Sequence, residues 1–155
     1  MVRAYVESLL ERLIGATQVT PDADGDYPVR FNGCLYFIRL LGDTDPVVQV
    51  FSTAVADVKP SAALFKELNE INSNISFARV FWVRDQVLVE SELLGEGIEP
   101  VDFGNACQAV ATITDRIGPR LVEKFGGKTA FADEKTEEAK AATAAEPDKG
   151  VGQYL

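Results

Sequence analysis

The chain has 155 residues, 46% of them hydrophobic and nine of them Phe, enough for one core of about 125 residues once a polar C-terminal stretch is set aside. Twenty-four acidic against fifteen basic side chains leave a net charge of −9, which fits plain solubility and argues against nucleic acid and anionic membrane as partners. There is no histidine, so the commonest general base, the Ser-His and Cys-His nucleophile pairs and histidine metal sites are all excluded.

The opening MVRAYVESLLERLIG carries Val2, Val6, Leu9, Leu10 and Leu13 at helical spacing, with Arg3, Glu7, Ser8 and Arg12 on the other side and Gly15 as a stop. Charges interrupt it too often for a signal peptide, and no apolar run approaches the ~20 residues that span a bilayer. A cytoplasmic protein is the expectation. Thr20–Asp26 is turn chemistry. Its aspartates resemble a calcium loop but lack the closing bidentate Glu, so a solvated turn is expected there and no metal.

YPVRF and CLYFIRLL flank Asn32-Gly33, the strongest short hairpin signal. A two-residue loop pairs Phe31 with Cys34, Val29 with Tyr36 and Tyr27 with Ile38, and puts these six with Leu40 on an apolar core face. Arg30, Leu35, Phe37 and Arg39 share the wetter face. Val47–Thr53 reads as a third strand with Val48 and Val50 inward and Gln49 outward. A helix from about Ser61 to Ser73 follows, with Pro60 near its start and an apolar stripe of Leu64, Leu68, Ile71 and Ile75. Asn69 and Asn72 on this helix either bind a partner or hydrogen-bond nearby backbone.

Phe77–Val83 and Val87–Leu93 form a second hairpin. With Asp85-Gln86 as the loop, Trp82 pairs with Val89, Val80 with Ser91, and Arg79 lies opposite Glu92. Ala78, Val80, Trp82, Val87, Val89 and Leu93 then face the core. Phe77, Arg79, Phe81, Val83, Leu88, Glu90 and Glu92 face out. Pro100 opens the last helix, whose stripe is Phe103, Cys107, Val110, Ile113, Thr114 and Ile117. Gly118-Pro119 is expected to kink or break it before a short continuation to Phe125. From residue 132 the composition shifts to Ala, Glu, Lys and Thr with no apolar stripe, a solvated tail closed by the apolar VGQYL, which either docks on the domain, engages a partner or frays.

The rest of the chemical inventory is empty. Cys34 and Cys107 are far apart in apolar settings and read as buried free thiols. Gly126-Gly127-Lys128-Thr129 lacks the remaining spacing and the strand–loop–helix context of a phosphate loop. Glu90 and Glu92 share a strand face and read as solvent-facing residues opposite arginine rather than as a catalytic pair. No catalytic residue, cofactor site or metal site is expected.

The element order α-βββ-α-ββ-α, with DGDYPVRF, VVQVFSTAVADVKPSAALFKELNEIN, ARVFWVRDQVLVESELL and KFGGKTAF, resembles the YbjN family, grouped with the small type III secretion chaperones. Actinobacterial members look especially similar. The resemblance covers roughly residues 1–131 and implies an α+β domain with a five-stranded antiparallel sheet packed with helices, often a homodimer. It also implies a chaperone-like role, binding extended segments of client proteins on apolar patches. YbjN proteins are described as sensory transduction regulators as well, which keeps open a regulator that binds a small-molecule or protein signal.

The expectation is therefore a single domain over 1–131 with an acidic tail over 132–155. It acts as a non-catalytic chaperone or adaptor for a protein or peptide client. The candidate partner surface is Arg30, Leu35, Phe37, Arg39, Arg79, Phe81, Val83, Leu88 and Glu90, apolar anchors with a charged rim. The alternative is that the second helix or a partner subunit already covers that face.

Overall fold

The computed structural model describes residues 1–31 and 33–130. The expectations for the tail over 132–155, VGQYL included, lie outside the described residues, as does Asn32 of the first turn.

The elements follow the expected order: α1 (Val2–Ile14), β1 (Tyr27–Phe31), β2 (Cys34–Leu41), β3 (Val47–Val55), α2 (Ala62–Asn72), β4 (Arg79–Val83), β5 (Gln86–Leu94) and α3 (Pro100–Phe125). The strands form one antiparallel sheet in the order β1-β2-β3-β5-β4, so β3 is central and β1 and β4 are edges. The fold is α+β, and the three helices line one face of the sheet. Val6, Leu9 and Leu10 of α1, Leu64 and Leu68 of α2, and Phe103, Val110, Ile117 and Leu121 of α3 join the inner-face residues Tyr27, Val29, Ile38, Val48, Val50, Val80, Val87 and Val89 in one core.

Local chemistry sets the boundaries. Gly15 takes the left-handed conformation that closes α1. The Ser61 hydroxyl caps α2 by accepting from the Leu64 amide at 3.1 Å. Pro100 sits in the first turn of α3, where its missing N–H costs nothing.

The first hairpin has the expected register, Phe31 opposite Cys34 through Tyr27 opposite Ile38. The second corrects the expectation. Its two-residue turn is Arg84-Asp85, both left-handed (φ 49° and 60°), so Arg79 lies opposite Glu90 and not Glu92, and Val80 opposite Val89 and not Ser91. The Asp85 carbonyl is held by the Val58 amide at 3.0 Å, and Asp tolerates this backbone where no glycine is available. The slip is two residues, so the side chains of Arg79–Val83 and Gln86–Leu94 keep their expected faces. Phe77, expected outward at the start of the strand, instead precedes β4 with a positive φ of 62° and lines a depression with Asp102 and Ala106 of α3.

A second correction concerns Gly118-Pro119, which neither breaks nor ends α3; the helix runs 26 residues through it. Proline removes one hydrogen bond there, to the carbonyl of Asp115, an exposed residue that water can reach. Buried residues on both sides, Ile113, Ile117 and Leu121, hold the helix to the sheet through that point. The glycine is needed for the approach: a Cβ at 118 would stand 2.9 Å from the Ala54 carbonyl oxygen. Ala54 lies at the bulge where β3 shifts register between Thr53 and Val55.

The Gly126-Gly127 pair is structural. Both have positive φ and turn the chain back so that Lys128 and Ala56 exchange two backbone hydrogen bonds, at 2.8 and 2.9 Å. A Cβ at 127 would meet the Ala56 carbonyl oxygen at 2.5 Å, so only glycine fits.

Two helical glycines should respond with opposite sign. Gly118→Ala should lower stability by about 1–2 kcal/mol, its overpacking outweighing the gain in helix propensity. At Gly104 a Cβ meets nothing within 4 Å, so Gly104→Ala should raise stability by about 0.5–1 kcal/mol. Urea titration of both variants checks the pair; equal shifts would refute the close helix–strand contact.

Candidate functional site

With α1, α2 and α3 on the inner face, the other face of the sheet carries the side chains of opposite parity. All nine predicted surface residues lie on this outer face. They form two groups: Arg30, Leu35, Phe37 and Arg39 on β1 and β2, and Arg79, Phe81, Val83, Leu88 and Glu90 on β4 and β5. The sequence reading left out what joins them. Strand order places β3 between the groups, and its outward residues Gln49, Phe51 and Thr53 complete continuous rows. One row runs Pro28, Phe37, Phe51, Glu90, Arg79 across all five strands. The alternation of Val48 and Val50 already implied that Phe51 points outward; its central place could not be known without the strand order.

The aromatic centre of this face is the Phe37–Phe51 stack, with ring centroids 5.5 Å apart and planes at 22°. Two arginines flank it. Arg39 lies over the Phe51 ring at 4.8 Å, and Arg79 over the Phe81 ring at 5.4 Å. Each is tied to a buried carboxylate. Arg39 Nε donates to Asp26 Oδ1 at 2.7 Å, and Arg79 Nε donates to Glu90 Oε1 at 3.0 Å, with Glu92 joining at 3.1 Å. These hydrogen bonds push both guanidinium pKa values further above the ordinary arginine range, so the charges are fixed. Glu90 is only 5% exposed although it belongs to the outer face, because it lies between Phe51 and the guanidinium of Arg79. It is thus a buried partner in an ion pair, not a solvent-facing acid. Asp26 likewise turns into the structure, while Asp22 organises the turn before it by accepting from the amides of Asp24 and Asp26.

Leu35, Phe37, Phe51, Phe81, Val83 and Leu88 are all partly exposed. The second helix does not cover them. Its Phe65 ring meets the inner-face Trp82 edge-on at 6.0 Å, and the Trp82 indole N–H donates to the Val58 carbonyl at 2.9 Å.

Both edges of the sheet are blunted. At β4, Asn72 reaches from α2 and acts as a strand partner: its amide nitrogen donates to the Val80 carbonyl and its oxygen accepts from the Val80 amide, both at 2.8 Å. Backbone bonding, rather than partner binding, is what this asparagine does. At β1, Pro28 is a position without an N–H to offer. A partner strand would find little backbone to pair with at either edge, so the face is the more available surface.

The Tyr27 phenol is engaged and the two thiols are buried. The Tyr27 hydroxyl donates to Glu7 at 2.5 Å and accepts from Arg3 at 3.0 Å, so these two charges of α1 satisfy a buried phenol. Cys34 and Cys107 are free and buried; burial pushes the Cys107 thiol up to about 12 and raises that of Cys34, which keeps both protonated and unreactive near neutrality. Among the described residues no cluster of acidic or cysteine side chains could hold a metal ion, and no helix is long and apolar enough to cross a membrane.

A family model described as T3SS (YopN, CesT) and YbjN peptide-binding chaperone 1 matches residues 1–133. The chain belongs to this family of chaperones. Two solved structures share the fold. One is the ExsC–ExsE complex, with TM-score 0.58, 14% identity, 75% of this chain and 92% of that one covered. The other is the Yersinia pestis type III secretion chaperone SycH in complex with a stable fragment of YscM2, with TM-score 0.53, 13% identity, 71% and 97% covered. No curated protein matches. Membership in this peptide-binding chaperone family agrees with a site that offers apolar surface and fixed charge in place of reactive groups.

Asn72→Ala should free both polar groups of Val80 and cost about 1–3 kcal/mol. Hydrogen exchange followed by NMR should show the Val80 amide exchanging faster than its neighbours on β5; an unchanged rate would mean that Asn72 does not hold the edge.

Proposed function

We propose that the chain is a non-catalytic chaperone or adaptor that holds an extended segment of a partner protein across the outer sheet face. The observation that carries this is the Phe37–Phe51 stack, at the centre of a face that no helix among the described residues covers, with Leu35, Phe81, Val83 and Leu88 around it and Arg30, Arg39, Arg79 and Glu90 as the charged rim. Apolar anchors inside a polar rim are the usual anatomy of a protein interface. Arg39 and Arg79 are already held by carboxylates, so a client would meet them in place, with little side-chain entropy left to lose on binding. The blunted edges favour the face over strand addition. The family's description as peptide-binding, and the two neighbours crystallised as complexes, support the class of partner.

On this reading the binding unit spans residues 1–131, with 132–155 as an appended acidic tail, and the protein works in the cytoplasm on a protein or peptide client. A homodimer is compatible with it as long as the two copies meet elsewhere.

Panning a random peptide display library against the full chain, then measuring selected peptides by calorimetry, tests the proposal. Phe37→Ser and Phe51→Ser should each weaken binding about tenfold or more, the effect of removing one buried aromatic contact, while the far-UV spectrum stays unchanged. Affinities that survive both substitutions would place the client elsewhere and overturn the assignment.

A further inference from the structure

On the helix side of the β1 edge lies a groove of about 610 Å3 between the end of α1, strand β1 and the start of α3. Leu13 and Ile14 of α1, Phe31 of β1 and Val101 of α3 line it, together with Tyr36 and Cys107. Phe31 and Val101 are 46% and 64% exposed. Four large apolar side chains open to solvent around one concavity form the kind of patch that is normally covered.

The path of the chain indicates by what. The described residues end at Ala130, which shares a small depression with Gly33 and Cys34 at the tip of the β1–β2 hairpin. Phe31, in the wall of the groove, is two residues from that tip. The described residues therefore end at the hairpin tip, two residues along the chain from the groove. Residues 132–150 contain no Val, Ile, Leu, Met, Phe, Tyr or Trp, and then Val151, Tyr154 and Leu155 come within five positions. At ~3.3 Å per residue, the twenty residues 131–150 reach up to roughly 66 Å, ample to return around the hairpin. Asn105 and Gln108 on α3 supply polar partners for an amide or a phenol.

We propose that this groove is the docking site of the chain's own segment 151–155, held there as a tethered ligand. Tethering raises its effective concentration toward the millimolar range, so a weak apolar contact suffices to keep the groove filled. The proposal does not depend on the outer face being the client site, since the groove is on the opposite side of the sheet.

Disulfide trapping in the full chain tests it. Gln153→Cys paired with Asn105→Cys, at the groove, is compared with Gln153→Cys paired with Glu92→Cys, on the outer face. Mild oxidation should join the first pair within one chain about tenfold faster than the second, as the local concentration predicts. Cys107 lines the groove, so it is replaced by Ala in both variants; Cys34 is buried away from it. Equal rates for the two pairs, or a disulfide formed only between chains, would overturn the proposal. A second readout is independent of engineered cysteines. Tyr154→Ser with Leu155→Ser should shift the NMR methyl signals of Leu13, Ile14 and Val101 and leave Val83 and Leu88 unmoved; no shift at the groove also overturns it.

Discussion

Everything in this molecule depends on how α3 is seated on the sheet. The helix crosses the inner face against β2, β3 and β5, and at Gly118 it comes so close to the β3 bulge that no side chain fits between them. That seat lets its apolar stripe interdigitate with the inner residues of the central strands. The bulge at Ala54, the glycine at 118 and the return of Lys128 to Ala56 are three parts of one arrangement that holds the end of β3 to the long helix. With α1 and α2 packed into the same layer, the helical cover among the described residues goes to one side. Among them, the other side of the five-stranded sheet is left to its own side chains.

That side is neither a core nor an ordinary wet surface. A sheet face with only polar residues would need no explanation, and one with only apolar residues would aggregate. Here aromatics are placed centrally and charges are fixed around them by short, partly buried ion pairs. The Arg79–Glu90 pair shows the balance. Glu90 is buried, so its charge requires the guanidinium; the guanidinium in turn lies over Phe81 and stays at the rim. Removal of either partner would leave the other worse placed. The edges follow the same logic, with Asn72 and Pro28 limiting the backbone on offer. The edges thereby offer little free backbone, and the outer face presents side chains instead.

Much of this was legible in the sequence because its signals are short-range. Asn32-Gly33 fixed the first register, and strict alternation assigned the faces of the strands correctly even where the second register was two residues out. That error arose at Arg84-Asp85, where left-handed residues other than glycine carry the turn and a tertiary bond to Val58 selects it. Pro119 misled for a related reason, because local helix breaking is outweighed by packing on both sides. Phe51 went unnamed because its role comes from strand order, a long-range property. Glu90 and Asp26 looked exposed by position, and only the arginines across the sheet show that they are buried.

The claim most open to direct test is that the outer face is bare in the free protein. Light scattering on the full chain and on Phe51→Glu addresses it. The account predicts the same solution mass for both, whether monomer or dimer, because any self-contact lies away from this face. A wild-type dimer that falls to a monomer with Phe51→Glu would show that a second copy seals the face, and would contradict the assignment of that face to a client.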